Sequence, residues 1–569
     1  MMCGIRVWRL VSRWSVVLGA LLLIAGGCAD DKPTADGPAV VADAGGDAPA
    51  DAGSDALPPG TPSLVCPGAP SCPKGAGGEL LVGTAKVVIN PSGCEPYTDT
   101  NDDYHHDKDE PYTDLNNNGA FDPCWLAGFG NNQPSNGVND DLQARVLVLR
   151  QDDTTLALVS VDLIGLFFDE TEAMRQMLDP SLGIDLLLVG ATHNHNGPDT
   201  VGIWGRTLGE GGVDPKYMAE LRQKIVGAVT AAAKALVPAR VIYAETKTVD
   251  KNGSTEPYVS DSRDPVVIDP TLTMLRFVAK SDSSTVATLV HWAHHPESWG
   301  SKRRMYSADF VRFVRDGVEN GVRGRSGVGG TTIYFQGALG GQIGPNRVKP
   351  IDADGKPVTE KGEGWARAIG DAVAAFALDA LSASTDSDDA PALSFATTKT
   401  ELTVENVLYH QAFKLGAMKR RVVGYDETKP PGPNNKPRIP TELASIHIGK
   451  AHFATVPGEL HPEIAIGYDK AHSYSWPQVD PNNKNPPDMS KAPAGPYLKD
   501  LMTGRYKMVL GLTPDFVGYI IPRFNFETHF SLPYLLEAEG DHYEETNSIG
   551  PDTDADLSAA LSGLFKQGL

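Results

Sequence analysis

The sequence predicts an α/β (α+β) protein in which mixed β-sheets are flanked by helices and a metal site lies at strand ends. Three observations predict it. Short apolar runs bounded by turn residues alternate with longer stretches of helical period over most of the chain. Several of those runs end in polar clusters carrying histidine or glutamate. One of them, Ile184 to Val189, feeds into Ala191-Thr192-His193-Asn194-His195-Asn196-Gly197-Pro198. Side chains alternate faces along a strand, so His193 and His195 are expected to point the same way. Neutral imidazole is a standard zinc ligand, and two converging imidazoles begin a zinc site. The pair also reads as solvated or hydrogen-bonded loop histidines, since H-x-H is short and common.

Taken in order, Leu142 to Leu149 and Thr155 to Val161 read as strands, Glu170 to Leu178 as a helix, and Ile184 to Val189 as the strand before the histidines. Pro215 to Leu236 is a long amphipathic helix with proline at its start. Arg240 to Ala244, Leu272 to Phe277 and Thr285 to Trp292 are strands, the last ending in His294-His295-Pro296. Phe310 to Asn320 and Glu363 to Leu381 are helical and enclose a strand at Thr332 to Phe335. Beyond Ala390 strands dominate, at Leu393 to Thr400, Ala444 to Ile448 and His452 to Thr455. Runs rich in proline and asparagine at Pro430–Pro440 and Pro477–Pro496 read as surface loops, and no internal repeat is evident.

The first 27 residues read as a targeting segment rather than as part of the fold. Arg6, Arg9 and Arg13 precede an apolar run, Val16 to Ile24, too short to span a bilayer. Ala25-Gly26-Gly27 then leads to Cys28, as in a bacterial lipoprotein signal with lipid on the cysteine, although Ala25 stands where leucine is usual. An ordinary secretory signal is the alternative; either one exports the chain. Residues 28–75 are expected to be a disordered acidic tether of Ala, Asp, Gly and Pro, unable to bury enough apolar surface to order itself. The expected location is a bacterial membrane, periplasmic or at the cell surface. A formal net charge of -22 argues against nucleic acid and against electrostatic adhesion to anionic lipid. Oligomeric state is not legible.

With Cys3 lost with the signal and Cys28 lipidated, four cysteines remain in the exported chain, whose catalytic body is expected at 76–569. Cys66 with Cys72 and Cys94 with Cys124 are the preferred disulfides in an oxidising compartment. A four-cysteine zinc site is the alternative, though the spacing fits no zinc-ribbon pattern. The insertion 95–123 has oxygen side chains at alternate positions. Asp114, Asn116, Asn118 and Asp122 follow a calcium-loop pattern with Gly119 in the sixth place. Trp125 occupies the twelfth, where glutamate is wanted, and in the earlier run Asp99 to Asp103 the glycine position is Tyr104. An Asx-turn-rich surface insertion is the competing reading.

Further polar clusters follow expected strands. They are His294-His295-Pro296, Pro457-Gly458-Glu459 and Gly518-Tyr519-Ile520, with Tyr543-Glu544-Glu545 downstream. Together with Thr192-His193-Asn194-His195-Asn196-Gly197-Pro198, Ala127-Gly128-Phe129-Gly130 and Asp141 to Arg145, this ordered set resembles the neutral ceramidase family over about residues 76 to 569. The resemblance implies His193, His295, Glu459 and Tyr519 as ligands of one zinc per chain, with His195 and Tyr543 in catalytic positions. It also suggests Asp309 as a residue that orients a histidine or binds a substrate hydroxyl, a helix cap being equally compatible. Two imidazoles, a carboxylate and a weak phenol ligand would leave an exchangeable water on zinc, and the implied reaction is hydrolysis of an N-acyl amide by a metal-bound hydroxide. Two departures count against identical chemistry. Gly344 replaces the family's serine, and Gly253 stands at an arginine position, with Lys251 as a candidate substitute. The family's C-terminal immunoglobulin-like domain is not expected. Other readings are a zinc hydrolase of a different amide or ester, and a non-catalytic surface lipoprotein that keeps a metal for structure.

Overall fold

The strand Thr154–Val161 is buried at all eight positions, which a Val/Leu-rich run satisfies only with both sheet faces covered. This computed structural model describes residues 59–567 except 75–76, 344–346, 431, 433, 469–473 and 475. The targeting segment, Cys28, most of the expected tether, and Gly344 therefore lie outside the described residues.

Among the described residues the larger sheet has nine strands. Its main path runs Thr331–Gln336, Thr285–Trp292, Thr271–Ala279, Val237–Lys247, Leu81–Val88, Gln143–Gln151, Thr154–Val161 and Leu186–Ala191. The outermost pairing at each end is parallel and those between are antiparallel. A second, five-stranded sheet is ordered Leu64–Cys66, Leu393–Thr403, Arg438–Ile448, Ala451–Thr455 and Tyr506–Leu510. Leu147, Leu149, Leu156 and Leu158 from the first sheet share one buried cluster with Phe395, Ile446, Phe453 and Met508 from the second. Each such side chain contributes about 1.5–3 kcal/mol on burial, so this layer binds the two sheets together. The helices Asp309–Asn320 and Glu363–Ala383 close another cluster around Trp292 and Phe310.

The helix Pro215–Lys234 starts as its sequence dictates. Proline occupies the first turn and the Asp214 carboxylate accepts from the Lys216 amide at 2.8 Å. It lies so close to the strand Leu81–Val88 that a Cβ at Gly83 would sit 2.1 Å from the Ala232 carbonyl oxygen. That glycine, needed for close approach, also breaks the apolar run, which hides the strand from a periodicity reading.

Both preferred disulfides are present, Cys66–Cys72 and Cys94–Cys124. The expected tether boundary at residue 75 is corrected, because Leu64–Cys66 pairs antiparallel with Phe395 to Thr397 and both Cys66 and Cys72 are fully buried. The apolar Leu64-Val65-Cys66 triplet is enough to complete a sheet edge. No helix among the described residues is long and apolar enough to cross a membrane.

Candidate metal centre and catalytic site

The strand expected to aim both histidines ends at Ala191, short of either. Their convergence comes from the loop. Thr192 and Asn194 donate their amides to the carbonyls of Val161 and Leu163 at 2.9 and 3.0 Å. Between them His193 adopts φ 63°, in the left-handed region. The rings of His193 and His195 then meet edge to face with centroids 4.8 Å apart, and His193 and His295 do the same at 4.8 Å. His295 arrives just past the strand Thr285–Trp292. One ring nitrogen from each of the three lies within 4.8 Å of the others, and all three residues are buried.

Glu459 and Tyr519 come from a two-stranded parallel ladder, Glu459–Leu460 with Tyr519–Ile520, in which they are register partners. Glu459 Oε2 lies 3.1 Å from His193 Nε2 and 3.1 Å from His295 Nε2. The Tyr519 hydroxyl is 3.5 Å from His295 Nε2. The four residues named as zinc ligands are thus brought to one point.

Their protonation fits a cation there. His193 Nδ1 donates to the Ile164 carbonyl at 2.8 Å, and His295 Nδ1 to the Gln342 carbonyl at 3.0 Å. A carbonyl can only accept, so in each neutral ring Nε2 carries the lone pair. Burial pushes His295 below the ordinary imidazole value. With Nδ1–H given to a backbone carbonyl in each ring, the two Nε2 lone pairs face the Glu459 carboxylate at 3.1 Å each, an arrangement of acceptors that a metal ion reconciles. The backbone acceptors behind the imidazoles are the usual means of fixing a ligand tautomer.

His195 differs from its neighbours. Neither ring nitrogen makes a hydrogen bond of ordinary geometry, the Gly128 backbone and Glu297 lying beside them, although the residue is only 7% exposed. Burial first, then His193, His295 and Arg303, hold it well below the ordinary imidazole value. Phe129 lies against the ring at 5.2 Å, and a Cβ at Gly128 would fall 2.5 Å from His195 Nδ1. Tyr543, in the short helix Tyr543–Thr546, is half-exposed at the rim, its ring 6.3 Å from that of Tyr519. Asp309 opens the helix Asp309–Asn320 at φ 52° and accepts from the Phe310 amide at 2.6 Å. The carboxyl is buried, and burial raises it to about 6 against the opposing hydroxyl and amide of Ser298. No hydrogen bond joins it to a histidine among the described residues.

Two residues escaped the sequence reading. Glu297, buried two positions after His295, places Oε1 3.6 Å from His195 Nε2. Burial, then the charges of Glu459 and Asp309, raise its carboxyl well above the usual range. Its signal was its place in His294-His295-Pro296-Glu297. Arg303 looks like surface in Lys302-Arg303-Arg304 but is 2% exposed. It donates to the carbonyls of His195 and Ala127 at 2.7 and 2.5 Å and to Gln133 Oε1 at 2.6 Å. It clamps the loop rather than offering a donor to substrate. Gly253, by contrast, lies in a turn closed on Asp250, and Lys251 beside it is exposed.

A sequence profile described as neutral/alkaline non-lysosomal ceramidase, N-terminal, matches residues 118–378. Residues 118–378 belong to the neutral/alkaline non-lysosomal ceramidase family. This span includes all three histidines, Glu297 and Arg303, whereas Glu459, Tyr519 and Tyr543 lie beyond it. The fold is similar to that of neutral ceramidase from Pseudomonas aeruginosa, with TM-score 0.55 and 12% identity over 85% of this chain and 74% of that one. A solved ceramidase complexed with C2 is similar at TM-score 0.54 and 14% identity, over 85% of this chain and 75% of that one. Among curated protein sequences none matches. The profile match over residues 118–378 and the similar folds support a ceramidase-like hydrolase, with three histidines that could hold a metal ion.

The calcium-type segment is ordered. Asp114 accepts from the amides of Asn118 and Gly119 at 3.2 and 2.9 Å, and the side-chain amides of Asn116 and Asn118 both donate to Asp122 Oδ2, at 2.7 and 2.8 Å.

Proposed function

We propose that the chain is a zinc-dependent amidohydrolase that cleaves the N-acyl bond of ceramide or a related N-acyl lipid. The observation that carries this reading is the convergence of His193 Nε2, His295 Nε2, Glu459 Oε2 and the Tyr519 hydroxyl, with both Nε2 lone pairs facing the carboxylate. Two nitrogens and one carboxylate, with a phenol at longer range, suit zinc better than calcium or magnesium, which prefer all-oxygen sites.

Zinc bound there supplies Lewis acidity toward a carbonyl oxygen and lowers the pKa of a coordinated water to about 7. The remaining tasks fall to side chains. His195, held neutral by burial, is suited to take a proton from the attacking water and pass it to the departing amine. Glu297 beside it can hold that imidazole in one tautomer. Tyr543 at the rim is suited to donate a hydrogen bond to the developing oxyanion. Asp309, whose buried carboxyl lies beside Ser298, is suited to a substrate hydroxyl. The lipidated Cys28 would keep the enzyme at a bacterial membrane, near lipid substrate.

A second reading, hydrolysis of another amide or ester on this scaffold, is favoured by Gly344 and Gly253, which stand where the family pattern has serine and arginine. One experiment separates the two. Metal content and turnover of a short fluorescent N-acyl-sphingosine are measured for the wild type and for His295→Ala. One zinc per chain and turnover, both lost in the variant, is the expected result. Zinc retained with no turnover of any N-acyl-sphingosine sinks the ceramide reading and leaves the second.

A further inference from the structure

The segment before the family match contains a duplication that the alternating oxygens obscure. Glu95-Pro96-Tyr97-Thr98-Asp99-Thr100-Asn101 returns fifteen residues later as Glu110-Pro111-Tyr112-Thr113-Asp114-Leu115-Asn116. The expectation of no internal repeat is therefore corrected; the unit is too short to register as an architectural repeat. In the structure the two copies lie side by side. Tyr97 and Tyr112 form an antiparallel bridge, Thr98 donates to the Pro111 carbonyl at 2.7 Å, and Thr113 to the Pro96 carbonyl at 2.9 Å.

Each copy closes the other's loop. Glu110 is the twelfth residue counted from Asp99, where calcium loops carry their bidentate glutamate. Its two oxygens accept from the amides of Thr100 and Asp107 at 2.6 and 3.0 Å. The loop beginning at Asp114 has Trp125 in that place, and Glu95 fills the role from the other copy. Its oxygens accept from the equivalent amides, Leu115 and Asp122, at 2.7 and 2.9 Å. Tyr104, which stands at the glycine position, makes the turn all the same. It adopts φ 68° and donates its amide to Asp99 at 2.9 Å, as Gly119 at φ 75° does to Asp114, also at 2.9 Å. The Arg304 guanidinium over its ring at 4.4 Å helps offset that strain.

Two observations beyond loop geometry call for a cation. Glu95 is 0% exposed, yet no lysine, arginine or histidine pairs with it among the described residues. An ionised carboxylate buried without a counter-charge is costly. The Tyr97 hydroxyl is also buried, at 5% exposure, with no hydrogen-bond partner. Burial first, then the charges of Asp99, Glu110 and Asp103 against that of Arg304, raise its pKa. A water on a bound cation would give that hydroxyl an acceptor. Residues 95–125 hold nine carboxylates against one lysine, so their mutual repulsion has the same remedy.

We infer that residues 95–125 form a paired module for two calcium ions, each site completed by the glutamate that begins the other repeat. The module also reaches the catalytic loop. Arg304 is 2.7 Å from Asp99 and 2.9 Å from Asp102, and its chain neighbour Arg303 holds the His195 carbonyl. Ordering the first loop therefore steadies the segment that clamps His195.

The test uses the full chain, stripped with a calcium chelator and titrated with calcium at fixed zinc. Two calcium ions per chain and a raised Tm are expected. Glu95→Gln and Glu110→Gln should each lose one ion while keeping the other. Terbium, sensitised by Tyr97 and Tyr112 and displaced by calcium, gives a readout on the wild type should either variant fail to fold. No calcium uptake and no terbium signal overturns the inference, as does a single ion insensitive to Glu95→Gln. Zinc content is read separately, so loss of the calcium result leaves the hydrolase reading untouched.

Discussion

At the scale of single residues the site depends on small clearances. Gly128 has φ 115° and no room for a side chain, since its Cβ would overlap the His195 ring. Gly128→Ala is therefore expected to push the imidazole aside by a fraction of an ångström to an ångström. Misplacement on that scale costs about 10²-fold in rate. Zinc content should be unchanged, because His193, His295, Glu459 and Tyr519 are untouched. Steady-state kinetics beside metal analysis checks this; a variant with wild-type kcat would mean His195 does not act in the chemistry. Gly128 sits in Ala127-Gly128-Phe129-Gly130, which the sequence marks as family-like, but nothing in the sequence sets it against His195. Glu297 was missed for the opposite reason: a lone glutamate beside proline carries no periodic signal, and only folding sets it against His195.

At the scale of elements the site is a meeting of ends. The strands Thr154–Val161, Leu186–Ala191 and Thr285–Trp292 deliver their carboxyl ends to one place. Past the first of them, Asp162 receives both terminal nitrogens of Arg315, at 2.8 Å each, and the Gln143 amide at 2.8 Å. Arg315 comes from the helix Asp309–Asn320, so this buried bidentate pair fixes that helix to the strand ends supporting His193. Arg315→Met should cost about 3–5 kcal/mol by leaving the Asp162 charge unpaired, measured as the shift in urea midpoint. A loss within experimental error would mean that solvent reaches Asp162. Strands and helices with strong periodicity were read from sequence within a few residues. The helix Val407–Lys414 and the strands Leu81–Val88 and Tyr506–Leu510 were not. They are short or interrupted, and packing rather than local preference decides them.

At the scale of the whole molecule, long-range ion pairs tie distant parts together. Lys499, in the helix Leu498–Leu501, lies 2.6 Å from Asp269, which precedes the strand Thr271–Ala279. Burial would raise the Asp269 carboxyl, but the Lys499 ammonium outweighs it and holds it at about 2. A carboxyl lowered in the folded state stabilises above its unfolded value near 4 and loses that contribution as pH falls through 2. The wild type should therefore lose about 2 kcal/mol over this window, a loss that Asp269→Asn does not show. Thermal unfolding from pH 5 to pH 2.5 would reveal it, and parallel curves for the two proteins would refute it.

Order along the chain determined an α/β body and a set of motifs in family sequence, and it pointed to the two cysteine pairings that the structure holds. Side-chain chemistry is local, so histidine beside a strand end or aspartate at alternate positions can be read without a fold. Tertiary structure alone decided which nitrogen of each histidine faces Glu459, that His193 reaches its place through a left-handed turn, and that Glu95 closes a loop nineteen residues downstream. Those outcomes depend on contacts between segments far apart in the chain, and no periodicity along one segment encodes the position of another.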